Sequence, residues 1–148
     1  DAIAVVSTQA GELRWAWGRG ELSGPHDASW LANGRVLVFD NGLGRNWSRV
    51  LEVDPRTNAI VWEWRHPDPE RFYTASRGSA QRLANGNTLV SNSGAGQAFE
   101  VTADGAVVWE FWNPARGPGG RRATIGRMRW LDASFVEPLL ARFGEAGD

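Results

Sequence analysis

A chain of 148 residues, 42% hydrophobic and 22% charged with a net charge of −1, reads as one globular domain. Sixteen basic residues against 17 acidic ones leave no surplus to neutralise phosphates, and no basic run is interleaved with aromatics, so nucleic acid is not an expected partner. Zero cysteines exclude disulfides and thiolate metal sites; no metal-ligand cluster is apparent, no motif calls for a cofactor, and no stretch approaches the ~18 apolar residues of a membrane span.

The chain opens on Asp1 rather than Met, which suggests processing or truncation, and shows no signal segment. Residues 2 to 9 and 12 to 17 alternate apolar and polar positions and predict two strands. The second, "GELRWAW" at 11 to 17, recurs as "NAIVWEW" at 58 to 64 and "GAVVWEF" at 105 to 111, with Trp15, Trp62 and Trp109 spaced 47 residues apart. Positions two before and two after follow suit: Leu13, Ile60 and Val107, then Trp17, Trp64 and Phe111. Period-two alternation of this kind predicts strands with one face of large apolar side chains.

Between them a second unit repeats, "WLANGRVLV" at 30 to 38 and "RLANGNTLV" at 82 to 90. Asn33-Gly34 and Asn85-Gly86 sit between strand patterns and predict two-residue hairpin turns with positive φ values. Four antiparallel strands are expected at about 26–31, 35–40, 48–54 and 59–64, and four more at 78–83, 87–92, 97–102 and 106–112. Residues 123 to 130 read as a further inner strand. In the tail, Ser134 is a candidate N-cap for a short helix with Leu139, Leu140 and Phe143 on one face, packed and stopped by Gly144.

Four-stranded units at this period are the signature of β-propeller blades. The expected fold is therefore all-β, a partial propeller over 1–148: outer strands of one blade in 1–17, complete blades in 26–64 and 78–112, and a closing strand with a C-terminal tail in 123–148. Two complete blades do not close a ring. The open ends predict that missing blades or a partner protein chain complete it, because unpaired strand-rich faces lined with Trp promote aggregation.

"ELSGPHDASWLANGRVLVFDNGLGR", "SRVLEVDPRTNAIVWEW", "FYTASRGSAQRLANGNTLV", "FEVTADGAVVWEFWNP" and "GRRATIGRMRW", taken in order, resemble the C-terminal half of the bacterial arylsulfotransferase-like family of six-bladed propellers. The resemblance implies sulfuryl transfer between aryl sulfates and phenols by a ping-pong route, and a periplasmic or extracellular location. His26, ahead of "VFDNG", stands where family members carry the histidine that takes up the sulfuryl group; Pro25 precedes it where Gln is usual. A neutral imidazole has the lone pair such a step needs. An anionic group in transfer also needs cationic donors, and Ser76, Arg77 and Asn41 are the candidates for substrate binding. His66, on a proline-bearing loop, reads as solvated. The second expectation is a non-catalytic propeller acting as scaffold or accessory subunit of a larger assembly.

Overall fold

In the computed structural model, residues 1–144 are described, and they form three antiparallel sheets, one α-helix and three short 3-10 turns. The first sheet pairs β1 (Ile3–Val6) with β2 (Leu13–Trp17). The second has the order β3 (Pro25–Trp30), β4 (Val36–Asp40), β5 (Arg49–Asp54), β6 (Ala59–Trp64). The third repeats it with β7 (Ser79–Arg82), β8 (Thr88–Asn92), β9 (Gln97–Val101) and β10 (Val107–Trp112). Each expected strand of these two sheets is present within one residue of its expected ends.

Apolar side chains fill two layers, one on either side of the middle sheet. Val36, Val38, Leu51 and Val53 face Ile3, Trp15 and Trp17 of the first sheet. Leu37, Phe39 and Val50 face Val90, Phe99 and Val101 of the third, with Trp64 and Phe72 between. Consequently β4 and β5 are buried at every position, while every residue of β10 is exposed. Trp64, Phe72 and Phe99 meet with ring centroids 5.0 to 5.5 Å apart, and two of the three pairs are edge-on, the arrangement that aromatic quadrupoles favour.

The repeated tryptophans stitch one sheet to the turn of the next. Trp15 Nε1 donates to Asn58 Oδ1 at 2.9 Å and Trp17 Nε1 to the Asn58 carbonyl at 3.1 Å. One repeat later, Trp62 Nε1 donates to the Ala103 carbonyl at 2.9 Å and Trp64 Nε1 to that of Gly105 at 3.0 Å. Asn58 and Gly105 both hold positive φ, so the same turn presents its carbonyl twice. Trp109 has the equivalent sequence position but remains 44% exposed, because no third turn follows it among the described residues.

Five expectations need correction. The Asn-Gly turns are three-residue loops: Leu31 N bonds Arg35 O, Leu83 N bonds Asn87 O, and only Gly34 and Gly86 have positive φ. Asn33 and Asn85 instead accept from the backbone N–H two residues on, which suits a type I turn followed by a left-handed glycine. Strict alternation in the outer hairpins also fails. A register shift recurs at Val5/Val6, Glu52/Val53 and Val107/Trp109, so Ile60 packs in the layer opposite to Trp62.

Residues 123–130 form no strand. Side chains hold them instead: Gln81 bonds both the N–H and the carbonyl of Trp130, and Ser91 Oγ accepts from Met128 N. Its backbone finds only scattered backbone partners, Ala115 O for Ala123 N and Ser93 O for Ile125 N, where a ladder needs a continuous run of them. The helix α1 (Ala133–Gly144) is capped by Asp132, whose Oδ1 accepts from Ser134 N at 2.9 Å, so Ser134 lies inside the first turn. Leu139, Leu140 and Phe143 are exposed rather than packed. The helix is assigned through Gly144, and residues 145–148 lie outside the described chain.

Candidate functional site

His26 is the second residue of β3 and pairs with Phe39 on β4. Pro25 begins the strand, where a missing N–H costs least. Immediately after His26 the register shifts, so that Asp27 and Ala28 together oppose a single residue. Asp27 adopts φ 52 in this bulge, and its carboxylate turns toward the third sheet, accepting from Ala80 N at 3.3 Å and pairing with Arg127. Bulges re-aim side chains in this way beside functional sites.

The imidazole is exposed, yet one of its nitrogens is held. Nδ1 lies 2.7 Å from Asn41 Oδ1 and 3.0 Å from the Gly24 carbonyl. Asn41 is fully buried, and its Nδ2 donates to the carbonyls of Thr74 and Arg77, both at 2.8 Å. Those two acceptors determine which way the amide points, since only the NH2 end can face carbonyls. Its oxygen therefore faces the imidazole, Nδ1 meets two acceptors, and Nδ1 carries the proton in the neutral ring. Nε2 is left with its lone pair, touched by a long 3.4 Å contact from Arg77 N.

The loop that brings Arg77 to His26 is tied down along its length. Ser48 Oγ donates to the Asn41 carbonyl and accepts from Thr74 N, while Thr74 Oγ1 donates to the Ser76 carbonyl and accepts from Gly94 N. Arg77 has φ 66 and Gly78 φ 95, and Gly78 N donates to Ser93 Oγ at 3.0 Å. Left-handed backbone at a residue with a side chain persists only where its surroundings impose it. The Arg77 guanidinium is exposed and donates to Thr124 Oγ1 at 3.2 Å, while Arg127 pairs with Asp27, the residue after His26.

A charged ladder underlies this end of the middle sheet. Asp40, with no exposed surface, accepts from Ser23 N, Arg45 and Arg49. Burial works against the charge of Arg49, but hydrogen bonds to Glu21 and Asp40 outweigh it and raise its pKa. The third sheet carries a neutral counterpart at the same register: Asn92 opposite Gln97, with Gln97 Nε2 donating to Glu110 at 2.8 Å.

Of the residues expected at the site, His26, Asn41 and Arg77 converge, and Ser76 sits exposed beside Arg77 with its carbonyl held by Thr74. Asn41 does not present its side chain to a ligand, because its amide is spent on His26, Thr74 and Arg77. His66 lies elsewhere, edge-on to Trp64 with ring centroids 6.4 Å apart, at a cleft of about 270 Å³ that Arg71 and Glu110 also line. Asp27, Thr124 and Arg127 were not singled out in the sequence. An acid inside an inner strand was the signal for the first; the other two come from a segment whose placement depends on long-range contacts. Among the described residues no group of three His, Cys, Asp or Glu could hold a metal ion, and no helix is long and apolar enough to cross a membrane.

The repeated antiparallel sheets and the histidine held at the start of β3 fall within a stretch that a known family covers. The model described as Arylsulfotransferase (ASST) matches residues 1–114, and the chain belongs to that family. The match spans all ten strands and stops before the tail. Among solved structures, the crystal structure of a protein of unknown function from Bacteroides caccae aligns with a TM-score of 0.52 at 17% identity, over 80% of this chain and 44% of that one. The chain thus spans less than half of that neighbour, and the likeness is one of fold. No curated protein matches the chain.

Proposed function

We propose that the chain is part of a β-propeller arylsulfotransferase in which His26 carries a sulfuryl group from an aryl sulfate to a phenol. In this reading the three sheets are successive blades, 1–17, 26–64 and 78–112, and the described residues from 123 on lead away from the last of them. Missing blades or a partner protein chain cover the outer face of β10, and the protein works in the periplasm or outside the cell, as the resemblance implies. Family membership supports the class of chemistry. The observation that carries the role of His26 is the orientation of its ring, with Nδ1 against the Asn41 oxygen and Nε2 on the opposite side toward the Arg77 backbone N–H.

The reaction balances in two steps. Nε2 attacks the sulfur of the aryl sulfate; an N–S bond forms, the S–O bond to the ring breaks, and the phenolate leaves with the electron pair. The sulfated ring keeps its Nδ1–H and gains positive charge. In the second step a phenol oxygen attacks sulfur, the N–S pair returns to Nε2, and the phenol proton passes to solvent. Arg77 and Arg127 lower the cost of bringing anionic oxygens to this point, and Ser76 adds a hydroxyl at the rim. Splitting one displacement into two is the usual gain from a nucleophilic side chain.

The test is incubation with 4-nitrophenyl sulfate followed by mass spectrometry and release of 4-nitrophenolate. His26 gains the mass of a sulfuryl group, His26→Ala abolishes both signals, and His66→Ala leaves them nearly unchanged. An intact protein that forms no adduct and releases no phenolate from several donors is instead a scaffold or accessory subunit. The exposed Val107, Trp109 and Phe111 on β10 suit association within a larger assembly as well as with missing blades.

A further inference from the structure

We infer that Asn41 is a positioning residue that fixes the tautomer of His26 and locks the imidazole to the loop carrying Arg77. The catalytic consequence rests on the transfer reading above; the structural one does not.

Three hydrogen bonds carry the inference, each from one amide group. Oδ1 accepts Nδ1–H of His26 at 2.7 Å, and Nδ2 donates to the carbonyls of Thr74 and Arg77 at 2.8 Å each. No other side chain of this size does all of this. A carboxylate has the acceptor but would face two carbonyl oxygens with no proton to offer. A leucine fills the volume but leaves two buried carbonyls without that donor. The Gly24 carbonyl also faces Nδ1, at 3.0 Å, but it belongs to a local, exposed contact in which water competes. The Asn41 bond is the shorter, comes from a fully buried group and spans 15 residues.

Two effects follow. With Nδ1 engaged, the lone pair is on Nε2 and faces Arg77 rather than turning back into the protein. With Nδ2 engaged, the backbone of Thr74 and Arg77 is held at a fixed offset from the ring, so Nε2 and the Arg77 backbone N–H that reaches it at 3.4 Å are presented together. The same oxygen would also accept from Nδ1–H more strongly once Nε2 is sulfated and the ring is positive.

The experiment is ring-nitrogen NMR on the full chain labelled at histidine, at alkaline pH where imidazole is neutral, with His66→Ala to assign the two rings. Wild-type His26 is expected as a single Nδ1–H tautomer. Asn41→Leu raises the Nε2–H form several-fold, whereas Asn41→Asp, which keeps the acceptor, retains Nδ1–H. In 4-nitrophenyl sulfate turnover, Asn41→Leu lowers kcat by about 100-fold or more, as loss of the correct tautomer does elsewhere, with KM little changed.

A wild-type ring protonated on Nε2 overturns the inference, and so does a folded Asn41→Leu with an unchanged tautomer. If Asn41→Leu does not fold, the wild-type ring and Asn41→Asp decide: Nδ1–H in both supports the role, and Nε2–H in either overturns it. A tautomer that responds as expected in a protein forming no sulfated His26 leaves the positioning role standing and removes the transfer reading. Sulfation of His26 with an Nε2–H ring does the reverse.

Discussion

Gly78→Ala tests whether the backbone that brings Arg77 to His26 is imposed by the core beneath it. Gly78 has φ +95, and a Cβ built there would lie 2.5 Å from Cε1 of Phe39 and 2.7 Å from two further atoms of the same ring. Phe39 cannot retreat: it has no exposed surface and meets Phe72 edge-on with centroids 5.6 Å apart. Left-handed backbone costs a residue with a side chain about 1–2 kcal/mol, and forcing a methyl group into a filled core about 1–3 kcal/mol. The sum, about 2–5 kcal/mol, is a large part of an ordinary domain's stability. Gly86→Ala is the matched control, because φ is +88 there and nothing lies within 4 Å of the added Cβ. It should lose only the backbone part, about 1–2 kcal/mol. Urea unfolding of both variants, fitted with a common slope, gives the difference. If Gly78→Ala is no more destabilised than Gly86→Ala, the packing of Phe39 beneath the loop is not what holds Arg77 in place.

Asp40→Asn combined with Arg49→Gln copies the neutral ladder of the third sheet. Arg49→Gln alone removes one of the two guanidinium partners of a buried carboxylate, Arg45 remaining, and should cost about 1–3 kcal/mol, whereas the double variant should recover at least about 1 kcal/mol in a double-mutant cycle. Trp62→Phe loses the bond to Ala103 and should cost about 1–2 kcal/mol, while Trp109→Phe should stay within about 0.5 kcal/mol of the parent; denaturant unfolding separates them. Hydrogen bonds from Arg56 hold the Asp54 carboxyl down from 3.8 to about 2. A depressed acid stabilises the fold above its ordinary value, and that contribution disappears as pH falls from near 3.8 through about 2. Arg56→Ala should therefore move the Asp54 titration upward by carboxyl NMR and shift acid unfolding to higher pH.

Much of the fold could be read from the chain because it is built from local, repeated choices. Alternating apolar positions made strands of 26–64 and 78–112, Gly34 and Gly86 marked their turns, and Trp15, Trp62 and Trp109 recurred at one spacing. His26 and Arg77 were both legible as candidates, one from its place ahead of "VFDNG" and one from its place before an inner strand. Their meeting was not, since it is Asn41, buried and bonded to a loop more than thirty residues away, that joins them. Alternation also could not anticipate the bulges that send Ile60 to the layer opposite Trp62 and turn Asp27 toward Arg127, because one extra residue changes the face of every residue after it. Nor could equal spacing reveal that Trp62 finds a carbonyl and Trp109 does not. Burial belongs to the neighbours a residue acquires, and the face beyond β10 has none among the described residues. The sequence by itself determined which segments are strands and which residue types stand at their starts; tertiary packing decided which nitrogen of His26 meets Asn41 and which meets the Arg77 backbone, because those partners are brought from distant parts of the chain.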